Sequence, residues 1–181
     1  MNADPVVVLL PGAFFALLFG IAATHKLLAW RVFQQQVTDY RVLPRALGTP
    51  AAAAIPAFEA LVAAGWLDGA TRAAAALASA ALLCAYAWGM AWNLRRGRDT
   101  IDCGCGGADG TQVIRWALVV RNVLLALAAL AALPLAAPGG LARQPGWVDW
   151  LSIDAGALVL MGTYIALNQV LANLPPQRVL D

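Results

Sequence analysis

Five stretches of this chain are apolar over about 20 residues or nearly so, the length a helix needs to cross the hydrocarbon core of a bilayer. They run over 6–30, 51–67, 72–94, 113–137 and 150–174 of 181 residues, leaving little chain for a separate soluble domain. Charge is scarce as well: Asp, Glu, Lys and Arg make up 12% of the residues and hydrophobic types 61%. An ordinary soluble domain is about a quarter charged, so this chain has too little polar surface to coat a globule. A net charge of +2 carries no signal for nucleic acid.

Runs such as 73–83 and 124–133 are apolar on every face rather than alternating, which disfavours a β-barrel and points to helices as the way to satisfy the backbone in lipid. The expected fold is all-α: a polytopic membrane helical bundle of five transmembrane helices, four in a core plus one, forming a single integral membrane domain. Pro11, Pro56 and Pro134 fall within the spans, where neighbouring helices can satisfy the freed carbonyls. The second span is the shortest and carries Glu59 as well as Pro56. The first is expected to be retained rather than cleaved as a signal peptide, because the residues before it lack a basic segment and include Asp4.

Trp30, Trp88, Trp92 and Trp116 fall near one membrane face, and Trp66, Trp147 and Trp150 near the other, as aromatic belts. The first face also carries Arg31, Arg41, Arg45, Arg95, Arg96, Arg98 and Arg178, against Arg72 and Arg143 opposite. The positive-inside rule therefore makes the first face cytoplasmic. On that face the segment 31–50 opens with Val32, Phe33 and Val37 among polar residues. That pattern suits a short helix lying in the interface, covering a pocket or docking a partner, or else a solvated connector.

Two of the three cysteines sit in the same face's second loop, as Asp102-Cys103-Gly104-Cys105-Gly106-Gly107. Gly104 removes the side chain that would obstruct so tight a ring, and a strained disulfide is easily reduced. Cys103 and Cys105 thus read either as a redox pair or as thiols that only pin a turn. Cys84 lies inside the third span and reads as a small apolar packing residue. With His25 the lone histidine, the chain does not supply the four ligands of a structural zinc site, and no metal is expected.

Ionisable groups inside a bilayer are functional candidates by default. Lys26, Glu59 and Arg121, with His25, Asn93, Asn122 and Asn168, all fall in the half of the membrane nearest the cysteine loop. One reading is a polar pocket of Lys26, Glu59, Asn93, Asp102, Arg121 and Asn122 in which Lys26 or Arg121 favours the thiolate and Glu59 relays protons. The other has Lys26 snorkelling to the interface while Glu59 and Arg121 form a packing ion pair.

Several of these residues together resemble a known family. Lys26, Tyr40 with Leu43-Pro44, Pro56 and Glu59, Arg96-Gly97 before Asp102-Cys103-Gly104-Cys105, and Trp116 with Arg121-Asn122 are similar to the methylamine-utilisation MauE family, which is related to small DoxX-like membrane proteins. The resemblance implies a role in maturing methylamine dehydrogenase, whose small subunit is rich in disulfides, beside a thioredoxin-like periplasmic partner. Cys103 and Cys105 would then exchange disulfides, with a membrane quinone as one acceptor, although no residue in the sequence identifies a quinone site. The chain departs from the family pattern at Gly106-Gly107, where a bulky aromatic followed by glycine is expected. A periplasmic substrate also favours the opposite orientation from the arginine count. Two other functions stay open: a non-enzymatic assembly or export scaffold for the same enzyme, and a soft-metal carrier using paired thiolates.

Overall fold

The computed structural model describes residues 3–103, 112–136 and 141–173, all but the side chain of Arg45. Cys105 lies outside these residues. Helix α1 covers Pro5–Leu28, α2 Trp30–Asp39, α3 Arg45–Leu67, α4 Arg72–Leu94, α5 Trp116–Ala131 and α6 Trp147–Asn173. Five of them, all but α2, are long and apolar enough to cross a membrane. The protein is a multi-pass membrane protein and a helical bundle, as its hydropathy requires.

Local chemistry explains where these helices begin and end. Asp4 caps α1, its carboxylate accepting from the Val6 N–H at 3.0 Å. Helix α3 starts at Arg45, directly after Pro44, and runs through Pro50 and Pro56; it therefore reaches 23 residues where hydropathy alone suggests 17. The extra turn of α3 lies against α2, with Thr38 beside Gly48. Helix α4 stops in a Schellman arrangement: the Arg98 N–H reaches the Asn93 carbonyl at 3.1 Å, the Gly97 N–H reaches Leu94 at 3.0 Å, and Gly97 takes φ +68. Helix α5 begins three residues later than its apolar run, because Val113 and Ile114 pair with the segment before the cysteine loop. It ends at Ala131, where Pro134 turns the chain into a short 3-10 segment, Leu133–Leu135.

The packing order is α6, α1, α3, α4, α5, each against the next, with α2 lying on α3. Between helices in lipid there is no hydrophobic drive, so contact depends on close fit and polar links. Both are present. A Cβ on Gly12 would stand 3.1 Å from the Trp66 carbonyl, which shows how closely α1 approaches α3. Phe15 stacks on Trp66 at 5.0 Å between ring centroids, and the Trp66 indole N–H donates to Ser79 Oγ on α4 at 2.8 Å. Leu61, Leu77, Leu124, Leu127, Leu158 and Leu167 are exposed on the outside of the bundle, as lipid-facing residues should be. At the far end from the cysteine loop, Arg143 joins α1 to α6 by donating to Asp4 at 3.1 Å and to Asp149 at 2.7 Å.

Candidate functional site

The ionisable groups of α1 and α3 meet inside the bundle. Lys26 Nζ donates to both Glu59 oxygens, at 2.6 and 2.9 Å, and the Tyr86 hydroxyl of α4 donates to Glu59 Oε1 at 2.8 Å. Glu59 is 1% exposed and the Lys26 side chain 11%. The ion pair in this half of the membrane therefore joins Glu59 to Lys26. Arg121 instead donates to Asn168 Oδ1 on α6 and lies over the Tyr164 ring. The sequence places all three ionisable groups at one depth but does not show which helices are neighbours; with α3 between α1 and α4, the carboxylate of α3 faces Lys26 and Tyr86.

Helix α2 does form, and it covers this cluster. Its buried Phe33 offers a ring face to Lys26 Nζ at 5.6 Å, the same distance as the Tyr86 ring on the other side. Under α2 is a cavity of about 290 Å³, walled by Lys26, Phe33, Val37, Tyr40, Tyr86 and Cys103 among others. Its lining is mainly carbon, and its rim includes Leu43 and Trp88, both well exposed on the outside of the bundle.

Cys103 is held at the edge of this cavity by the backbone. Residues 101–103 and 112–114 form a short antiparallel contact, Asp102 opposite Val113. The Cys103 N–H donates to the Gln112 carbonyl at 2.7 Å, and the Ile114 N–H to Ile101 at 2.9 Å. The thiol lies 3.7 Å from Gln112 Oε1, and the Tyr40 hydroxyl donates to the Cys103 carbonyl at 3.3 Å. Cys103 is 8% exposed and packs with Met90, Ile101, Ile114 and Leu118. The two ends of the cysteine loop are thus joined at residues 103 and 112, with Cys103 buried at the join.

Asn93, fully buried, supports the same region from α4. Its amide N–H groups donate to the carbonyls of Tyr40 and Gly89 at 3.1 and 3.0 Å, and its oxygen accepts from Arg98 at 2.7 Å. Arg98 also donates to the Asp39 carbonyl at 2.6 Å, so the chain around Tyr40 is held from below and from the side. Asn122 is buried on α5 beside Arg121, 3.5 Å from it, outside the cavity wall. Gln112 Nε2 reaches the Asn168 carbonyl at 3.3 Å and ties the loop base to α6. The candidates thus separate into two groups: Lys26 and Cys103 in the cavity wall, with Glu59 behind Lys26, Asp102 at the loop base and Asn93 as support, and Arg121 and Asn122 toward α6.

Tyr86 and Gln112 belong to the site without being singled out by the sequence, and Phe33 is marked there only as an apolar residue of the short interfacial helix. Tyr86 carried a usable signal, a phenol hydroxyl in an apolar run whose other hydroxyl is that of Ser79. Gln112 carried none, and the contact of Phe33 with Lys26 is not contained in its pattern, because both roles follow from how α2 and the loop base fold back on the bundle. Cys84 is exposed on the bundle's outer surface.

Comparison with known proteins bears on the same residues. The family model described as "Methylamine utilisation protein MauE" matches residues 4–135, which takes in every residue around the cavity. Methylamine utilization protein MauE of Paracoccus denitrificans is 41% identical over 141 residues, 76% of each chain. The protein of the same name from Paracoccus versutus is 42% identical over 133 residues, 72% of each chain. That of Methylorubrum extorquens is 37% identical over 127 residues, 70% of this chain and 68% of its own. No solved structure matches the chain. The family match over residues 4–135, with relatives 41% and 42% identical over most of both chains, makes this five-span bundle a member of the MauE family of methylamine utilisation proteins.

Proposed function

We propose that this protein is a membrane thiol-disulfide redox protein of the bacterial cytoplasmic membrane. It assists maturation of methylamine dehydrogenase by promoting disulfide formation in that enzyme's small subunit, working with a thioredoxin-like periplasmic partner. Cys103 and Cys105 are the redox pair. In each exchange a thiolate attacks one sulfur of a disulfide, a mixed disulfide forms, and the second thiol releases it; one dithiol is oxidised and one disulfide reduced.

The observation that carries this reading is the position of Cys103, buried in the wall of a cavity and fixed by backbone pairing on the loop side. A cysteine that only staples a turn gains nothing from adjoining a cavity that reaches a buried ion pair. The pairing of Cys103 with Gln112 and of Ile101 with Ile114, on either side of Asp102, together with the Tyr40 bond to the Cys103 carbonyl, supports a sulfur held in a constant position.

The test has two parts: a Cys103→Ser/Cys105→Ser protein is assayed for active methylamine dehydrogenase, and a Cys84→Ala protein, which keeps the pair as its only thiols, is labelled in intact cells with a membrane-impermeant thiol reagent before and after reduction. The expected result is loss of active enzyme with a normally inserted membrane protein. Normal maturation by the double-serine protein would replace this reading with a scaffold role. The labelling also shows which side of the membrane carries the pair.

A further inference from the structure

We infer that the cavity beneath α2 binds the ring of a lipid-soluble isoprenoid quinone, which takes the electrons of the cysteine pair. This rests on the redox reading given above and adds the acceptor and its site.

Four observations on the cavity select this ligand class. The first is charge. Lys26 is already neutralised by Glu59 at 2.6 Å, so the site as a whole offers no net charge to an anionic headgroup or to a cation. The second is hydrogen bonding. An ammonium has three donors, and two of those on Lys26 go to Glu59. Among the described residues the third has no hydrogen-bonding acceptor, and it lies in the cavity wall between the Phe33 and Tyr86 rings. A neutral carbonyl oxygen is the ligand atom that such a donor accepts without disturbing the pair. The third is size and lining. About 290 Å³ is at the lower end of small-molecule pockets, roughly 300 Å³ and upward. That is room for one substituted ring between aromatic side chains, with Phe33, Tyr40, Tyr86 and Trp88 all in the lining.

The fourth is access. Leu43 and Trp88 line the cavity and are also 45% and 55% exposed on the outside of the bundle, so the cavity opens sideways between the segment after α2 and the outer face of α4. An isoprenoid tail can lie in lipid while its ring enters. Cys103 is part of the same lining, which brings one residue of the reducing pair to the cavity wall.

The reaction balances within the two partners. Two S–H bonds of the dithiol break and one S–S bond forms. The two electrons and two protons released convert the quinone's carbonyls to hydroxyls, giving the quinol. Lys26 is the group that touches a ring carbonyl; Glu59 and Tyr86 are positioning residues that hold Lys26 at the wall.

The test uses the full-length protein in nanodiscs of phosphatidylethanolamine and phosphatidylglycerol, with a photoactivatable azidoquinone as label and decylubiquinone as competitor. Labelling is done in the Cys84→Ala/Cys103→Ser/Cys105→Ser protein, where no thiol remains to react, and quinol formation is followed separately after mixing the reduced wild-type protein with decylubiquinone without oxygen. Labelled peptides are expected from 30–43 or 82–90, protected by decylubiquinone, together with one quinol per dithiol. Val37→Trp fills the cavity from α2 without touching the ion pair and should weaken protection at least about tenfold, equivalent to losing one tenfold step in affinity.

Absence of protected labelling, with Cys103 and Cys105 still exchanging disulfides, would overturn the quinone site and leave the redox reading standing. Protected labelling without any quinol from the reduced protein would overturn the redox reading and with it the acceptor role. Labelling that falls as the phosphatidylglycerol content of the nanodisc is raised, and that decylubiquinone does not displace, would make the cavity a lipid headgroup site and would equally overturn the inference. Unchanged protection in Val37→Trp would show that the ring binds elsewhere.

Discussion

Removing either member of the buried ion pair should be costly, and the two removals should differ. Breaking a buried pair by deleting one partner costs about 3–5 kcal/mol, because the remaining charge is left uncompensated. The structure separates the two ends of that range. Lys26 is two residues from the end of α1 and its side chain is 11% exposed, so in Glu59→Gln the ammonium can swing to the interface on its flexible stem. Glu59 is 1% exposed and sits eight residues from the nearer end of α3, so in Lys26→Met the carboxylate has no comparable exit. Glu59→Gln should therefore lose about 3 kcal/mol and Lys26→Met about 5 kcal/mol. The double variant removes both charges and keeps the Tyr86 hydrogen bond to a side-chain oxygen, and should lie within about 1–2 kcal/mol of the parent, since neutral replacements of buried pairs are often tolerated. The coupling is then about 6–7 kcal/mol, above the roughly 0.5–3 kcal/mol usual for residues in contact, because each single variant strands a buried charge that the double variant does not. Reversible unfolding in mixed micelles by titration with sodium dodecyl sulfate measures all four proteins. Additive single effects would refute the pair as an energetic unit, and a Glu59→Gln variant weaker than Lys26→Met would refute the exit argument.

Other expectations follow from particular contacts. Asn93→Ala removes three hydrogen bonds at a fully buried position and should cost about 2–4 kcal/mol, at 1 kcal/mol or more each; it should also speed proteolysis around Tyr40 before the bundle as a whole unfolds. Gly12→Ala forces α1 away from the Trp66 carbonyl and should cost about 1–3 kcal/mol. Gly156→Ala should cost less, because there the facing group is the flexible Leu10 side chain. Gly97→Ala puts a side chain at φ +68 and should lower stability by about 1 kcal/mol, seen as fraying of the end of α4 in hydrogen exchange. Trp66→Phe leaves Ser79 without its indole donor and should cost about 1–3 kcal/mol with the fold unchanged in circular dichroism.

The parts of this protein that could be read in advance are those set by neighbours along the chain. Hydropathy over a window of residues determines that five helices cross the membrane, and the periodicity of Val32, Phe33 and Val37 marks α2. Helix ends were read less well. Pro50 marks a boundary by its local preference against the helix before it, yet α3 passes through it, because the preceding turn packs on α2 and the missing bond is a small loss beside that contact. Val113 and Ile114 read as the start of a span because they are apolar, and are instead used in pairing with Ile101 and Asp102.

The candidate site divides along the same line. By itself the sequence determined the ingredients: a five-span bundle, a cysteine loop on one face, and Lys26, Glu59 and Arg121 gathered in the half of the membrane beneath it. Depth is a property of position along each helix, so it can be counted. Which groups meet is a property of helix order and rotation, and no count along the chain contains it. Only the tertiary structure decided that Glu59 pairs with Lys26 and Tyr86, that Arg121 turns to Asn168, and that α2 closes over a cavity reaching Cys103. In lipid every segment is equally apolar to its surroundings, so neighbours are chosen by close fit and by polar partners, and both of these exist only once the helices are side by side.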